Sequence, residues 1–210
     1  MQSTKALEML NNGRIEELKA ALQDEIFMET LKGKPNAKKR YAAMKRYLTY
    51  VSSAREILQK PCEVNIDGED YIAFCNSYSL ALTKEGCGEI ALCDEPDRYP
   101  PIARLINRDG NENRIDFNRV IAEAKSKGYK LTKNEIMKND YLMRYDGAYF
   151  RIALLDSTYG IINDGEEATV YHISGARRSM TIETSLGLCV VMPVFIDGDP
   201  EEGIIIIDAE

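Results

Sequence analysis

The sequence predicts an α+β protein, because the period of its hydrophobic pattern changes along the chain. Apolar residues recur at three- and four-residue steps over residues 3–59, which is typical of amphipathic helices. From Cys62 the pattern alternates every second residue, as in strands, and a helical pattern returns after Asp116. The 210 residues, 44% of them hydrophobic and 29% charged, suffice for one large or two small domains and exclude a disordered or fibrous chain.

Two helical segments are predicted before residue 60. The first spans residues 3–30, breaks at residues 11–13 and carries the apolar stripe Ile15, Leu18, Leu22 and Ile26. The second spans residues 37–59 and carries the apolar stripe Tyr41, Met44, Leu48, Val51 and Leu58. The Gly-Lys-Pro-Asn sequence at residues 33–36 favours a turn and therefore separates the two segments.

The remaining pattern predicts strands and two further helices. Alternation indicates strands over residues 62–67, 71–75, 77–84, 89–93, 141–144, 168–173, 179–184 and 188–196. Asp116 is placed to cap a helix that ends at Gly128, residues 149–162 favour a short helix, and residues 107–113 favour a loop. We therefore expect three parts: an N-terminal helical segment (1–36), one α+β domain (37–196) and an acidic tail (197–210).

Motifs of common enzyme classes are missing from the sequence. It contains no glycine-rich dinucleotide or phosphate loop and no Gly-x-Ser-x-Gly elbow. The five cysteines form no Cys-x-x-Cys pair, and His172 is the only histidine. We therefore expect a non-enzymatic protein with no catalytic residues, cofactor or metal. The lack of an export signal and of a long apolar run predicts a cytoplasmic protein without a membrane partner.

The net charge of −7 is unevenly distributed. Residues 32–60 contain nine basic residues and one acid, and residues 119–133 contain five basic residues and one acid, whereas residues 197–210 contain six acids. Positive charge on two helices, without side chains suited to reading bases, favours weak contact with the phosphates of duplex DNA. The alternative is that these charged side chains only form the solvent-exposed faces of the two helices.

The C-terminal third carries a motif that agrees with DNA association. Residues 187–194 read Gly-Leu-Cys-Val-Val-Met-Pro-Val. Further features precede this segment in order: a strand over residues 98–106 that begins Arg-Tyr-Pro-Pro, the helices at 116–128 and 149–160, and the strands at 168–173 and 179–184. In this order and with this Met-Pro strand, residues 98–196 resemble the last domain of the bacterial DNA polymerase sliding clamp.

The resemblance implies a DNA-clamp-like α+β domain, in which residues 37–97 supply the preceding half of the repeat. It implies a non-enzymatic sliding or scaffolding factor that confers processivity in replication or repair. Clamps direct basic helices toward duplex DNA, and the matching residues here are Lys38, Lys39, Lys45, Arg46, Arg119, Lys125 and Lys127. One repeat is too small to surround a duplex, so a ring would require a homo-oligomer.

A partner site also follows from the resemblance. The Met-Pro strand of the family lines a hydrophobic cleft that receives a short peptide from polymerases or other clients, and the matching residues are Val191, Met192, Pro193 and Val194. Phe195 stands where the family usually has a basic residue, which implies a different peptide or a filled cleft. The apolar residues 204–207 are expected either to pair as an edge strand with another subunit or to compete for this cleft.

Two other functions are compatible with the same residues. Residues 119–138 could form a helix-turn-helix with its second helix at Thr132–Met137, and residues 141–150 would then form the wing of a sequence-specific DNA binder. Alternatively, the protein is an interaction module without DNA binding, whose contact surface includes Tyr41, Tyr47 and Tyr50.

Overall fold

The computed structural model describes residues 3–50, 55–196, 198 and 200–209. Over these residues the chain forms five α-helices: α1 (Ser3–Asn11), α2 (Ile15–Thr30), α3 (Ala37–Tyr50), α4 (Phe117–Ser126) and α5 (Ile152–Ile162). The described strands are β1 (Cys62–Ile66), β2 (Glu69–Cys75), β3 (Ser79–Thr83), β4 (Asn111–Ile115), β5 (Tyr141–Tyr145), β6 (Ala148–Arg151), β7 (Ala168–His172), β8 (Met180–Thr184), β9 (Gly187–Val191) and β10 (Ile205–Asp208). The predicted α+β class is confirmed.

The strands form two sheets. The larger sheet has seven antiparallel strands in the order β1-β2-β3-β9-β8-β7-β4. The smaller has the order β10-β5-β6, in which β5 and β6 form an antiparallel hairpin and β10 runs parallel to β5. Helix α5 contacts β3 and β9 of the large sheet and β5 and β6 of the small one. The helix therefore lies between the two sheets.

Helix α5 forms the centre of the core. Ten of its eleven residues are buried. Ser157 and Thr158 are fully inaccessible, and the cost of burying their hydroxyls is offset because both donate to the carbonyl oxygen of Leu154. Helix α3 packs along α5 at a close approach, where a Cβ added to Gly160 would lie 3.2 Å from the Cβ of Ala43. A larger residue at either position would force the two helices apart.

The chain repeats one structural unit, a helix followed by three antiparallel strands. The first copy is α3-β1-β2-β3 and the second is α5-β7-β8-β9. Their last strands, β3 and β9, pair antiparallel, with Ser79 opposite Val191 and Thr83 opposite Gly187. The pairing is therefore centred on Ala81 and Cys189, as expected for two units related by a local two-fold axis.

The strand register supports this internal symmetry. At corresponding positions of the two hairpins, the paired residues are the same number of residues apart. Ile72 pairs with Thr83 and Cys75 with Leu80 in β2-β3, whereas Met180 pairs with Val191 and Glu183 with Leu188 in β8-β9. The two copies of the unit therefore agree in the order of their strands and in the register of their last two strands.

The predicted C-terminal tail does not form a separate part. Residues 205–208 form β10, whose neighbour in the sheet is β5 of the same chain. Ile207 is fully buried there, and the carboxylate of Asp208 accepts hydrogen bonds of 2.7 and 3.1 Å from Arg144. The expected use of residues 204–207 as a strand for another subunit, or as a competitor for the partner cleft, is therefore wrong.

Some predicted boundaries and elements are also wrong. The helix expected over residues 37–59 is described over Ala37–Tyr50, and Glu56–Leu58 form a 3-10 turn in place of its expected last turn; residues 51–54, including Val51, lie outside the described residues. The strand expected at residues 89–93 is absent from this described stretch, since its backbone makes only isolated bonds such as that from Cys93 N–H to the carbonyl of Pro61 (2.7 Å).

Two further segments differ from expectation. Ile102–Leu105, which the resemblance places in a strand, forms a 3-10 turn after two consecutive prolines. Residues 111–115, expected to lie mostly in a loop, form β4, an edge strand that pairs with β7. Because four of the five residues of β4 are exposed, its sequence lacks the apolar alternation that identifies a half-buried strand.

Candidate functional site

The basic residues predicted to face DNA lie on α3 and α4, and the structure gives them different surroundings. Lys38 and Lys39 are exposed in the first turn of α3. They line a concavity of about 610 Å³ between α2 and α3, together with Lys32 and Lys34. Glu25 and Glu29 line the same concavity, and Lys32 and Lys34 pair with Glu29 and Glu85, so its positive charge centres on Lys38 and Lys39.

Lys45 is engaged within the protein. Its ammonium group lies 2.7 Å from a carboxylate oxygen of Asp24 on α2, and it also pairs with Glu89. Burial lowers the pKa of Lys45, but the hydrogen bonds to these two carboxylates outweigh that effect and raise it. The same Asp24 accepts a hydrogen bond from Tyr41, whose pKa rises to about 12 through burial and this contact. Lys45 therefore holds α2 against α3.

Part of the positive charge of residues 32–60 is internal. Arg40 is fully buried, and its Nη2 donates to the carboxylate of Glu85 at 2.6 Å. Lys34 approaches the other oxygen of Glu85 at 3.2 Å. The charge count of this segment therefore overstates the charge that reaches the protein surface.

Arg46 and Lys125 lie near two different points of α5. Nη2 of Arg46 would lie 3.9 Å from a Cβ added to Gly160. The ammonium of Lys125 lies 3.8 Å from the carboxylate of Asp156, which also accepts a hydrogen bond from the hydroxyl of Tyr129 (3.3 Å). Burial and the charge of Asp156 raise the pKa of Tyr129 above its usual value, and the positive charge of Arg46 offsets this rise only in part. Lys125 is therefore half-exposed beside this carboxylate, whereas Arg46 is only partly exposed and its Nε is buried.

The other two residues of the set are Arg119 in α4 and Lys127 at its C-cap. Arg119 and Lys127 are exposed and approach the carboxylate of Glu123 at 3.7 and 2.8 Å. Exposed pairs of this kind are weak, so the side chains remain able to exchange partners. Asp116 caps α4 as predicted, since its carboxylate accepts from the backbone N–H of Arg119 at 3.0 Å.

The residues predicted to line a partner cleft divide into two groups. Val191 ends β9 and is fully buried, and Val194 is buried and its N–H donates to the carbonyl of Tyr149 at 2.7 Å. Both valines are core residues, so their assignment to an open cleft is wrong. Met192 has 42% of its surface exposed, and Pro193 is half-buried.

Met192 belongs to an exposed apolar surface that sequence reasoning identified only in part. Its N–H donates to the carbonyl of Tyr78 at 3.0 Å, and Tyr78 and Phe195 are themselves 44% and 56% exposed. The guanidinium of Arg151 lies 6.0 Å from the ring centre of Tyr78, and that of Arg177 lies 4.6 Å from that of Phe195. We call this the Tyr78–Met192–Phe195 surface; Tyr78 precedes β3 and carries no distinguishing sequence signal.

The structure differs from the details on which the two alternative functions were argued. Residues 133–137 form turns rather than the second helix of a helix-turn-helix, although the β5-β6 hairpin expected as the wing is present. Tyr41 and Tyr47 are buried, and Tyr50 is partly buried against the core. These tyrosines therefore stabilise the packing of α3 and do not form an exposed contact surface.

Comparison with known proteins gives no family assignment: no protein-family model, curated protein or solved structure matches this chain. In the described parts of the chain, no three His, Cys, Asp or Glu side chains are grouped so as to hold a metal ion. None of the described helices is long and apolar enough to cross a membrane.

Proposed function

We propose that this protein is a non-enzymatic, clamp-like scaffolding factor that associates with duplex DNA in replication or repair. The observation that carries the proposal is the repeated helix and three-strand unit, with its last strands paired antiparallel about Ala81 and Cys189. Residues 98–196, which resemble a clamp domain in sequence, include the whole second copy of this unit.

The proposed DNA contact is electrostatic and independent of sequence. It centres on Lys38 and Lys39, which are exposed at the start of α3; Lys32 and Lys34 lie beside them and pair with Glu29 and Glu85. Lys45 is left out because two carboxylates hold it. In an acidic protein such a limited positive area supports weak association that scaffolds rather than selects a DNA site.

Fluorescence anisotropy with a labelled duplex at low salt tests this assignment. Lys38→Glu/Lys39→Glu should weaken binding at least tenfold. The control Lys60→Glu/Arg104→Glu makes the same change in net charge elsewhere, at exposed or half-exposed residues, and should weaken binding much less. Equal losses for the two variants would show that only net charge matters, and would contradict a contact at α3.

A second activity, capture of a client peptide, is favoured by the Tyr78–Met192–Phe195 surface. Tyr78 and Met192 are joined by a backbone hydrogen bond, Phe195 follows three residues later, and all three side chains are exposed, as is typical of a protein contact. The thioether of Met192 adapts to different partners, and Arg151 and Arg177 favour a peptide that combines apolar and acidic residues.

Selection from a random peptide library tests the client site. Peptides enriched on the wild-type protein should carry apolar and acidic residues, and Met192→Glu should abolish their binding. Because Met192 is substantially exposed, this variant should keep the wild-type melting temperature. A variant that unfolds would show that Met192 is a core residue, and peptides that bind both proteins equally would place the site elsewhere.

A further inference from the structure

Helices α1 and α2 expose an unusual amount of apolar surface. The side chains concerned are 44–66% exposed and comprise Leu7, Leu10, Ile15, Leu22 and Ile26. The C-terminal half of α2 is attached to α3 on a different face, through the contact of the Phe27 and Tyr41 rings (5.0 Å between centres). A contiguous exposed apolar face on a helix that is already anchored on another side is typical of an interface.

The exposed residues of α2 form one stripe. At 3.6 residues per turn, five side chains fall within a sector about 80° wide: Ile15, Lys19, Leu22, Ile26 and Glu29. Lys19 and Glu29 are 62% and 69% exposed, and their ion-pair partners within the chain are the exposed Glu16 and Lys32. Such exposed pairs within a helix exchange at little cost.

The order of charges along this stripe is complementary to itself. In two antiparallel copies of α2 related by a two-fold axis near residue 24, Leu22 of each copy faces Ile26 of the other. The same register places Lys19 opposite Glu29 of the other copy, twice. Apolar contacts at the centre with opposite charges outside them are the arrangement of a specific helix-helix interface.

We propose that a second copy of this chain covers the stripe, forming a symmetric dimer through antiparallel α2 helices. The exposed side chains of Leu7, Leu10 and Ile15 extend the apolar contact toward α1 and α2 of the other copy. The α1 and α2 helices of both copies then form a four-helix arrangement. An isologous interface of this kind closes on itself. The inference goes beyond the proposed DNA association and does not depend on it.

Charge reversal with mixing tests the dimer, using analytical ultracentrifugation over a concentration series. Lys19→Glu alone places four acids at the two contacts between residues 19 and 29, and Glu29→Lys alone places four lysines there. The dissociation constant of the dimer should therefore rise at least tenfold in each variant. A mixture of the two variants should form a heterodimer, and the double variant should dimerise like the wild type. Both residues are exposed, so circular dichroism should show unchanged helicity.

Replacement of an exposed leucine provides a second test with a matched control. Leu22→Glu should abolish the dimer, whereas Leu105→Glu, at a similarly exposed leucine outside α1 and α2, should leave it unchanged. A monomeric wild-type protein at every concentration overturns the proposal. So does a dimer that survives Leu22→Glu, or one that neither charge reversal weakens, since the antiparallel register requires both contacts.

Discussion

Replacing Ile207 with alanine should destabilise the protein strongly, although this residue lies only three positions from the C-terminal residue. Ile207 is fully buried and belongs to the main core, and β10 holds it beside β5. Truncation of a buried isoleucine to alanine costs about 2–5 kcal/mol, because apolar contacts are lost and a cavity remains. With a cost of about 3 kcal/mol and an m-value of about 2 kcal/mol/M, the urea midpoint should fall by about 1.5 M.

The neighbouring residue gives a matched control for this measurement. Ile206 lies in the same strand and can also be replaced with alanine, but it is only partly buried. Ile206→Ala should cost about 1 kcal/mol, mainly through lost strand propensity and partial burial. Equal small shifts for both variants would refute the reasoning, since they would show that residues 205–208 do not pack into the core.

Two other changes test local features of the fold. Gly187→Ala should lower the free energy of unfolding by at least about 1–3 kcal/mol in a urea titration, because φ is +154° and the added Cβ would lie 2.0 Å from the backbone oxygen of Leu82. Asp24→Asn should reduce the loss of stability on acidification. Burial raises the pKa of Asp24, but hydrogen bonds from Lys45 and Tyr41 outweigh it and lower the pKa in the folded state. This carboxylate therefore contributes stability above its unfolded pKa of about 3.9, and the contribution is lost as the pH falls below that value; an identical acid profile for the variant would contradict the assignment.

The pattern of apolar residues predicted the elements that have one buried face. The helix capped by Asp116, the hairpin with its turn at Asp146 and Gly147, and the strands β7 to β9 lie close to their expected positions. The polar strand β4 was missed because its pairing depends on the edge of β7 and not on its own side chains. Local pattern carries no information about such a neighbour.

The candidate site was harder to predict because it depends on contacts between distant segments. Lys45 is an ordinary exposed lysine on a helical wheel, but Asp24 and Glu89 meet it in the fold. Val191 and Met192 are adjacent in sequence, yet the strand ends between them, so one is buried and the other exposed. Sequence located the positive helices and the Met-Pro segment, whereas burial and ion pairing decided which side chains remain available.

Salt dependence of DNA binding tests the central proposal, a clamp-like protein that contacts the phosphate backbone, most directly. The affinity of the wild-type protein for two duplexes of unrelated sequence should be equal at each salt concentration. With about two to four phosphate contacts, the logarithm of the binding constant should fall against the logarithm of salt with a slope of about −2 to −4. No binding at low salt, or binding to one duplex that persists at high salt, would contradict the proposal.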